Sequence, residues 1–68
     1  MDIVQLKYFV AVAESGSFSE AAELMFSAQS TVSKQIASLE KELNVQLFDR
    51  SKRKVVLTVY GEAFLSTH

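Results

Sequence analysis

Two clusters of side chains carry most of the polar chemistry in this sequence, and neither has the make-up of a catalytic centre. The first is Gln29, Ser30, Thr31, Ser33 and Lys34, a run of short hydrogen-bonding side chains with one cation. The second is Arg50, Lys52, Arg53 and Lys54, crowded into the turn Asp49-Arg50-Ser51-Lys52-Arg53-Lys54. Amides and hydroxyls of the first kind can read base edges: glutamine can pair with adenine, and a threonine methyl can meet thymine. Guanidinium and ammonium groups of the second kind neutralise phosphates or enter a narrow minor groove. Catalysis would need other equipment. The chain has no cysteine, its one histidine is the terminal His68, and there is no glycine-rich phosphate loop or paired carboxylate set. No catalytic residue, metal ligand or cofactor is expected.

Each cluster also has a plainer reading. Serine, threonine and lysine on one helix face are commonly just a solvated face, Gln29 can serve as a helix cap, and a cationic turn is commonly a solubilising hairpin tip. Arg50 can pair with Asp49 or another acid, which contributes little at a surface. Charge distribution helps to separate the readings. The formal net charge is −1, unpromising for an anionic partner, but residues 1–33 carry a net −3 and residues 34–54 a net +3. The local field around the second half is what a phosphate backbone would meet.

The elements that must position these groups follow from apolar spacing. Leu6, Phe9, Val10 and Ala13 recur at helical intervals, and Gly16 is a natural helix stop. Ser17 to Glu20 fits a capping box, in which the serine accepts an early amide and the glutamate reaches back to the cap. Phe18, Ala21, Ala22 and Met25 then line a short second helix whose paired alanines permit close approach. Val32, Ile36, Leu39 and Leu43 lie within a narrow arc at about 100° per residue, the buried back of a longer third helix. Its front is Ser30, Lys34, Ala37 and Lys41, flanked by Thr31 and Ser33, and its acids Glu40 and Glu42 come late. Val45 to Phe48 and Val55 to Thr58 are β-prone runs around the cationic turn, which reads as a hairpin. Thr58 is placed to cap a final helix containing Ala63, Phe64 and Leu65.

Phe9, Phe18, Phe26, Phe48 and Phe64 are expected in the core, in packing or at a dimer contact, and not as base-stacking platforms. Tyr8 and Tyr60 are expected to be half-buried, and His68 to be an exposed tail residue. No run reaches the roughly 18 apolar residues of a membrane span, and Asp2, Gln5 and Lys7 spoil any signal peptide. A cytoplasmic protein that does not contact membranes is the expectation.

Assembled in order, these residues resemble the DNA-binding domains of LysR-type transcriptional regulators. The likeness runs through Leu6 to Glu14, Gly16-Ser17-Phe18, Ala21-Ala22-Glu23 and Gln29 to Ile36. It continues through Leu39 to Leu43, Leu47-Phe48-Asp49-Arg50, Arg53, Leu57-Thr58 and Gly61, without a gap. The resemblance implies a mainly α fold, a winged helix-turn-helix with a three-helix core, a two-stranded β wing and the start of a linker helix. It places a DNA-binding domain at 1–58 and a truncated dimerisation helix at 59–68. It implies sequence-specific binding of double-stranded DNA, with the third helix in the major groove and the wing on backbone or minor groove. It further implies a homodimer in the full-length protein, a weak dimer or monomer for this length of chain, and a small-molecule co-inducer bound only through a C-terminal domain absent here.

The sequence departs from the family pattern at several positions. Ala28 stands where a serine or threonine usually caps the third helix; Ser27, one residue earlier, is the expected substitute. Ser30 replaces a frequent proline, Met25 a leucine, Asn44 a glycine, and Tyr60 a smaller residue. Two rival readings remain open on these residues: another regulator with the same type of reader, such as a molybdate-responsive one, and a winged-helix module that binds protein.

Overall fold

The computed structural model describes residues 1–67; His68 and its expected place on an exposed tail lie outside the described residues. Four helices and one two-stranded antiparallel sheet follow in the order α1 (Ile3–Ser15), α2 (Phe18–Leu24), α3 (Gln29–Leu43), β1 (Phe48–Asp49), β2 (Val56–Leu57) and α4 (Val59–Ser66). These are the helices and hairpin expected from the apolar spacing, in the mainly α, winged arrangement that the resemblance implies.

Local chemistry sets the boundaries. Asp2 caps α1 by accepting from the Gln5 amide at 2.9 Å. Gly16 ends it in the left-handed conformation, φ 69°, with its N–H donating to the Val12 carbonyl. Ser17 caps α2 through the Glu20 amide at 3.2 Å, but only half of the expected capping box forms. The Ser17 amide is taken instead by the Ser15 hydroxyl at 3.3 Å, so Glu20 has no cap donor to reach back to.

α2 closes with a six-residue bond from the Ser27 amide to the Ala22 carbonyl, 2.9 Å. That motif requires a left-handed residue before Ser27, and Phe26 takes it at φ 53°. Its ring is 96% exposed, so of the five phenylalanines Phe26 is not in the core. Asn44, which replaces the family's glycine, does the same service after α3 at φ 58°.

The core is the apolar face of each helix turned inward. Phe9, Val12, Ala21, Val32, Ile36, Leu39 and Leu47 are fully buried, with Phe48 nearly so. Ala21 and Ala22 are both buried, which lets α2 lie close to its neighbours. Phe9 links three elements: its ring centroid is 5.3 Å from Phe48 on β1 and 5.1 Å, edge-on, from Phe64 on α4. Tyr8 is more buried than expected, and its hydroxyl meets the Ser27 hydroxyl at 2.8 Å. Tyr60 is less buried than expected, at 60% exposure.

The two strands are shorter than the β-prone runs. They pair Phe48 with Leu57 and Asp49 with Val56. Three flanking amides are engaged elsewhere: Val45 donates to the Glu40 carbonyl at the end of α3, Leu47 to the Glu40 side chain, and Val55 to the Gly16 carbonyl. Propensity therefore marked the segment, while competing donors and acceptors trimmed the ladder.

Candidate nucleic-acid interface

α3 carries the first cluster, and its two faces differ as a groove-reading helix requires. Val32, Ile36 and Leu39 are completely buried. Gln29, Ser30, Thr31, Lys34, Ala37 and Lys41 are exposed, and Ser33 is half-buried on the flank. The first turn contains no acid. No side chain caps its start, because Ala28 has none to offer and Ser27 does not substitute. The Ser27 hydroxyl is committed to Tyr8 and to the Met25 carbonyl, 3.1 Å away. The expected rescue by Ser27 therefore fails for want of a free hydroxyl. The positive end of the α3 dipole is consequently left without a capping side chain, although the Thr31 amide donates to the Ala28 carbonyl at 3.0 Å.

The second cluster sits in the turn between β1 and β2, where Arg50, Lys52, Arg53 and Lys54 are all exposed. Asp49 organises this turn. Its carboxylate accepts from the Ser51 amide at 2.9 Å and from the Ser51 hydroxyl at 2.6 Å. These bonds, the hydroxyl foremost, hold its carboxyl below the usual carboxylate range, with Lys52 adding a smaller favourable field. Lys54 does not project freely along its whole length. Its stem lies against Gly16, where an added Cβ would come within 2.7 Å of the Lys54 Cε.

Arg50 is engaged on one side by the fold. Its guanidinium is 3.6 Å from a Glu40 carboxylate oxygen and stands over the Phe18 ring, 4.5 Å from the centroid. Of the acids available, it pairs with Glu40 and not with Asp49, whose oxygen is taken by Ser51. The side chain remains 43% exposed, so its outer edge still faces solvent beside the turn.

The role of Glu40 was missed by sequence reasoning, which noted only that it comes late in the helix. It is only 7% exposed and accepts from the Leu47 and Phe48 amides at 2.8 and 3.3 Å. The signal was faint but present: Glu40 adjoins Leu39 and falls one helical turn after Ile36, at the edge of the buried arc. Gly61 is a second omission of role. A Cβ there would stand 2.1 Å from the Leu47 carbonyl oxygen and 2.8 Å from Leu57, so only glycine lets α4 meet the wing this closely.

Among the described residues there is no cluster of ligating side chains able to hold a metal, and no helix long and apolar enough to cross a membrane.

Known proteins share both the sequence and this geometry. The pattern defining bacterial regulatory helix-turn-helix proteins of the lysR family matches residues 3–62. An HTH-type transcriptional regulator from the ibpB–leuC intergenic region of Azotobacter vinelandii is 55% identical over 65 residues, covering 96% of this chain and 45% of that protein. The regulator TfdT of Cupriavidus pinatubonensis is 49% identical over 65 residues, covering 96% of this chain and 28% of its own length. The chain thus spans less than half the length of these curated relatives. Among solved structures, the DNA-binding domain of BenM in complex with benA site 1 DNA superposes with a TM-score of 0.95 at 43% identity, over 98% of this chain and 75% of that one. The CbnR DNA-binding domain in its DNA complex gives 0.93 at 43% identity, over 98% and 77%. The family pattern covers residues 3–62 and the solved folds superpose over 98% of the chain; the chain belongs to the lysR family of bacterial regulatory helix-turn-helix proteins.

Proposed function

We propose that this chain binds double-stranded DNA sequence-specifically, as the operator-reading domain of a bacterial transcriptional regulator. The observation that carries the reading is the two-faced α3. Its aliphatic back is buried, and its acid-free front of short polar residues lies open beside an exposed cationic turn. In this reading α3 enters the major groove. Gln29, Ser30, Thr31 and Ser33 meet base edges and nearby phosphates, and Lys34 meets the backbone. Arg50, Lys52, Arg53 and Lys54 grip the adjacent backbone or place a guanidinium in the minor groove. The solved complexes of the BenM and CbnR DNA-binding domains support this assignment.

Residues 1–58 form the reader in this proposal, and α4 begins the helix through which two copies pair, so that twofold symmetry matches a palindromic operator. A small-molecule co-inducer would act through a separate domain. The role is one of binding and not of catalysis, and it places the protein in the bacterial cytoplasm with the DNA.

Salt titration of binding to duplex DNA tests the proposal. Affinity should fall steeply with salt, and each phosphate that is no longer neutralised should flatten the log–log slope by about 0.9. Replacing Lys52 and Arg53 by alanine should reduce the slope by roughly 1–2 while leaving sequence preference intact. Gln29→Ala should instead relax the preference at one base pair, at a cost of about 1–3 kcal/mol. A flat salt response, unchanged in the Lys52/Arg53 variant, would favour a protein partner and reject the DNA reading.

A further inference from the structure

Glu40 is the only buried charged side chain among the described residues, and nothing in the DNA surface uses it directly. A carboxylate inside a small domain is costly unless every lone pair finds a donor, and an apolar residue of similar size commonly serves stability as well. Its partners explain its presence. One oxygen accepts the amides of Leu47 and Phe48, the residues that lead into and open β1. The other faces Arg50, the first residue after β1, whose guanidinium covers Phe18 at the start of α2. One side chain on α3 therefore meets both the base of the wing and its first cation.

The position of Glu40 on the helix gives this contact a direction. Ser33 precedes it by seven residues and Gln29 by eleven, intervals that return to nearly the same side of an α-helix. At 1.5 Å per residue, Ser33 lies roughly 10 Å and Gln29 roughly 16 Å back along the same flank. The wing is thus anchored on the flank of α3 that leads to the proposed base-reading residues, at an offset held by the contacts of one carboxylate to Leu47, Phe48 and Arg50. We propose that Glu40 is the positioning residue that sets the register of the cationic wing against α3, so that both engage one stretch of duplex together. The proposal rests on the reading of α3 and the wing as a DNA surface, but the register itself is measurable without DNA.

The test compares the parent chain with Glu40→Gln, which keeps an acceptor for the amides and abolishes the pairing with Arg50. Hydrogen exchange and backbone relaxation are followed on the free chain, and affinity and salt slope on a random-sequence 30-base-pair duplex. The expected result is a folded variant in which exchange at Leu47 and Phe48 and mobility over Ser51–Lys54 rise at least tenfold beyond any change in the core of α3. Its salt slope should fall by about 1–2, at roughly 0.9 for each phosphate the loosened wing ceases to neutralise, although no DNA-facing cation has been removed. An unchanged wing and unchanged slope would overturn the proposal. So would a uniform loss of protection in which binding returns to the parent value once the folded fraction is accounted for, since that marks a merely structural role. Should Glu40→Gln not fold, Arg50→Lys bears the same test, because it preserves charge and removes the planar group between Glu40 and Phe18. The same loosening of the turn supports the register, and its absence overturns it. If the parent binds no duplex, the DNA reading fails, and exchange alone still decides whether Glu40 holds the wing.

Discussion

At the scale of single residues, two positions are poorly matched to the local backbone, and both sit at the turn between α2 and α3. Phe26 adopts φ 53° with an almost fully exposed ring, so it bears left-handed strain while gaining no burial in the chain. Non-glycine residues in that region carry about 1–3 kcal/mol of strain, and asparagine tolerates it best. Phe26→Asn should therefore stabilise the fold by about 0.5–1 kcal/mol, read as a higher urea midpoint with unchanged slope. Two residues on, Ala28 leaves α3 uncapped because Ser27 is already committed to Tyr8. Ala28→Ser supplies a side-chain oxygen to the first-turn amides, of which Thr31 now has the Ala28 carbonyl, and a gain of about 1 kcal/mol is expected. Thermal unfolding would check it; a midpoint unmoved by the substitution would show that those amides are already satisfied.

At the scale of elements, the wing is held by few bonds, and each makes a separate claim. Gly61 seats α4 against the Leu47 carbonyl, a backbone atom that cannot rotate away. Gly61→Ala should lose about 1–3 kcal/mol through overpacking, despite the higher helix propensity of alanine. Chemical denaturation monitored by helical signal would measure the loss, and a gain in stability would refute the close approach. Ser51 orders the turn by donating twice to Asp49, which lowers the Asp49 pKa. A folded-state value below the unfolded one means that the turn's stabilisation is present above the ordinary carboxylate range. It disappears as pH falls through the lowered value. Ser51→Ala removes the larger cause and should return the Asp49 titration toward that ordinary range, visible in the side-chain carbonyl shift.

These elements also divide what the residues disclosed in advance from what they did not. The helices were legible because apolar periodicity and the stops at Gly16 and Asn44 are local signals. The exposed front of α3 followed from the same arc that buries Val32, Ile36 and Leu39. The strand limits and Glu40 were illegible because they depend on which distant amide claims which acceptor. Val55 finds Gly16, and Leu47 finds Glu40, across loops whose geometry no spacing rule supplies. Of the places expected for Phe26, the core is excluded for the converse reason: aromatic identity suggests burial, whereas the end of α2 needed a left-handed residue and turned the ring outward.

At the scale of the whole molecule, the aromatic cluster decides whether there is a fold to present any surface. Phe48 joins Phe9 of α1 at 5.3 Å and Phe18 of α2 at 6.1 Å, and Phe9 in turn receives Phe64 of α4. A domain of 68 residues has a stability on the order of 3–10 kcal/mol, and no disulfide is possible in a chain without cysteine. Truncating a buried phenylalanine to alanine costs about 3–5 kcal/mol, which is comparable to that whole margin. Phe48→Ala should thus leave a large unfolded population at 25 °C and abolish wing and helix signals in one transition. Phe48→Leu keeps much of the volume and should remain folded with a loss of about 1–2 kcal/mol. The contrast separates a cooperative molecule from one whose wing melts by itself. If Phe48→Ala lost only the signals of β1 and β2 while α1 to α3 stayed protected against exchange, the wing would be a separately unfolding appendage. The aromatic cluster, bridging α1, α2, β1 and α4, requires the opposite result.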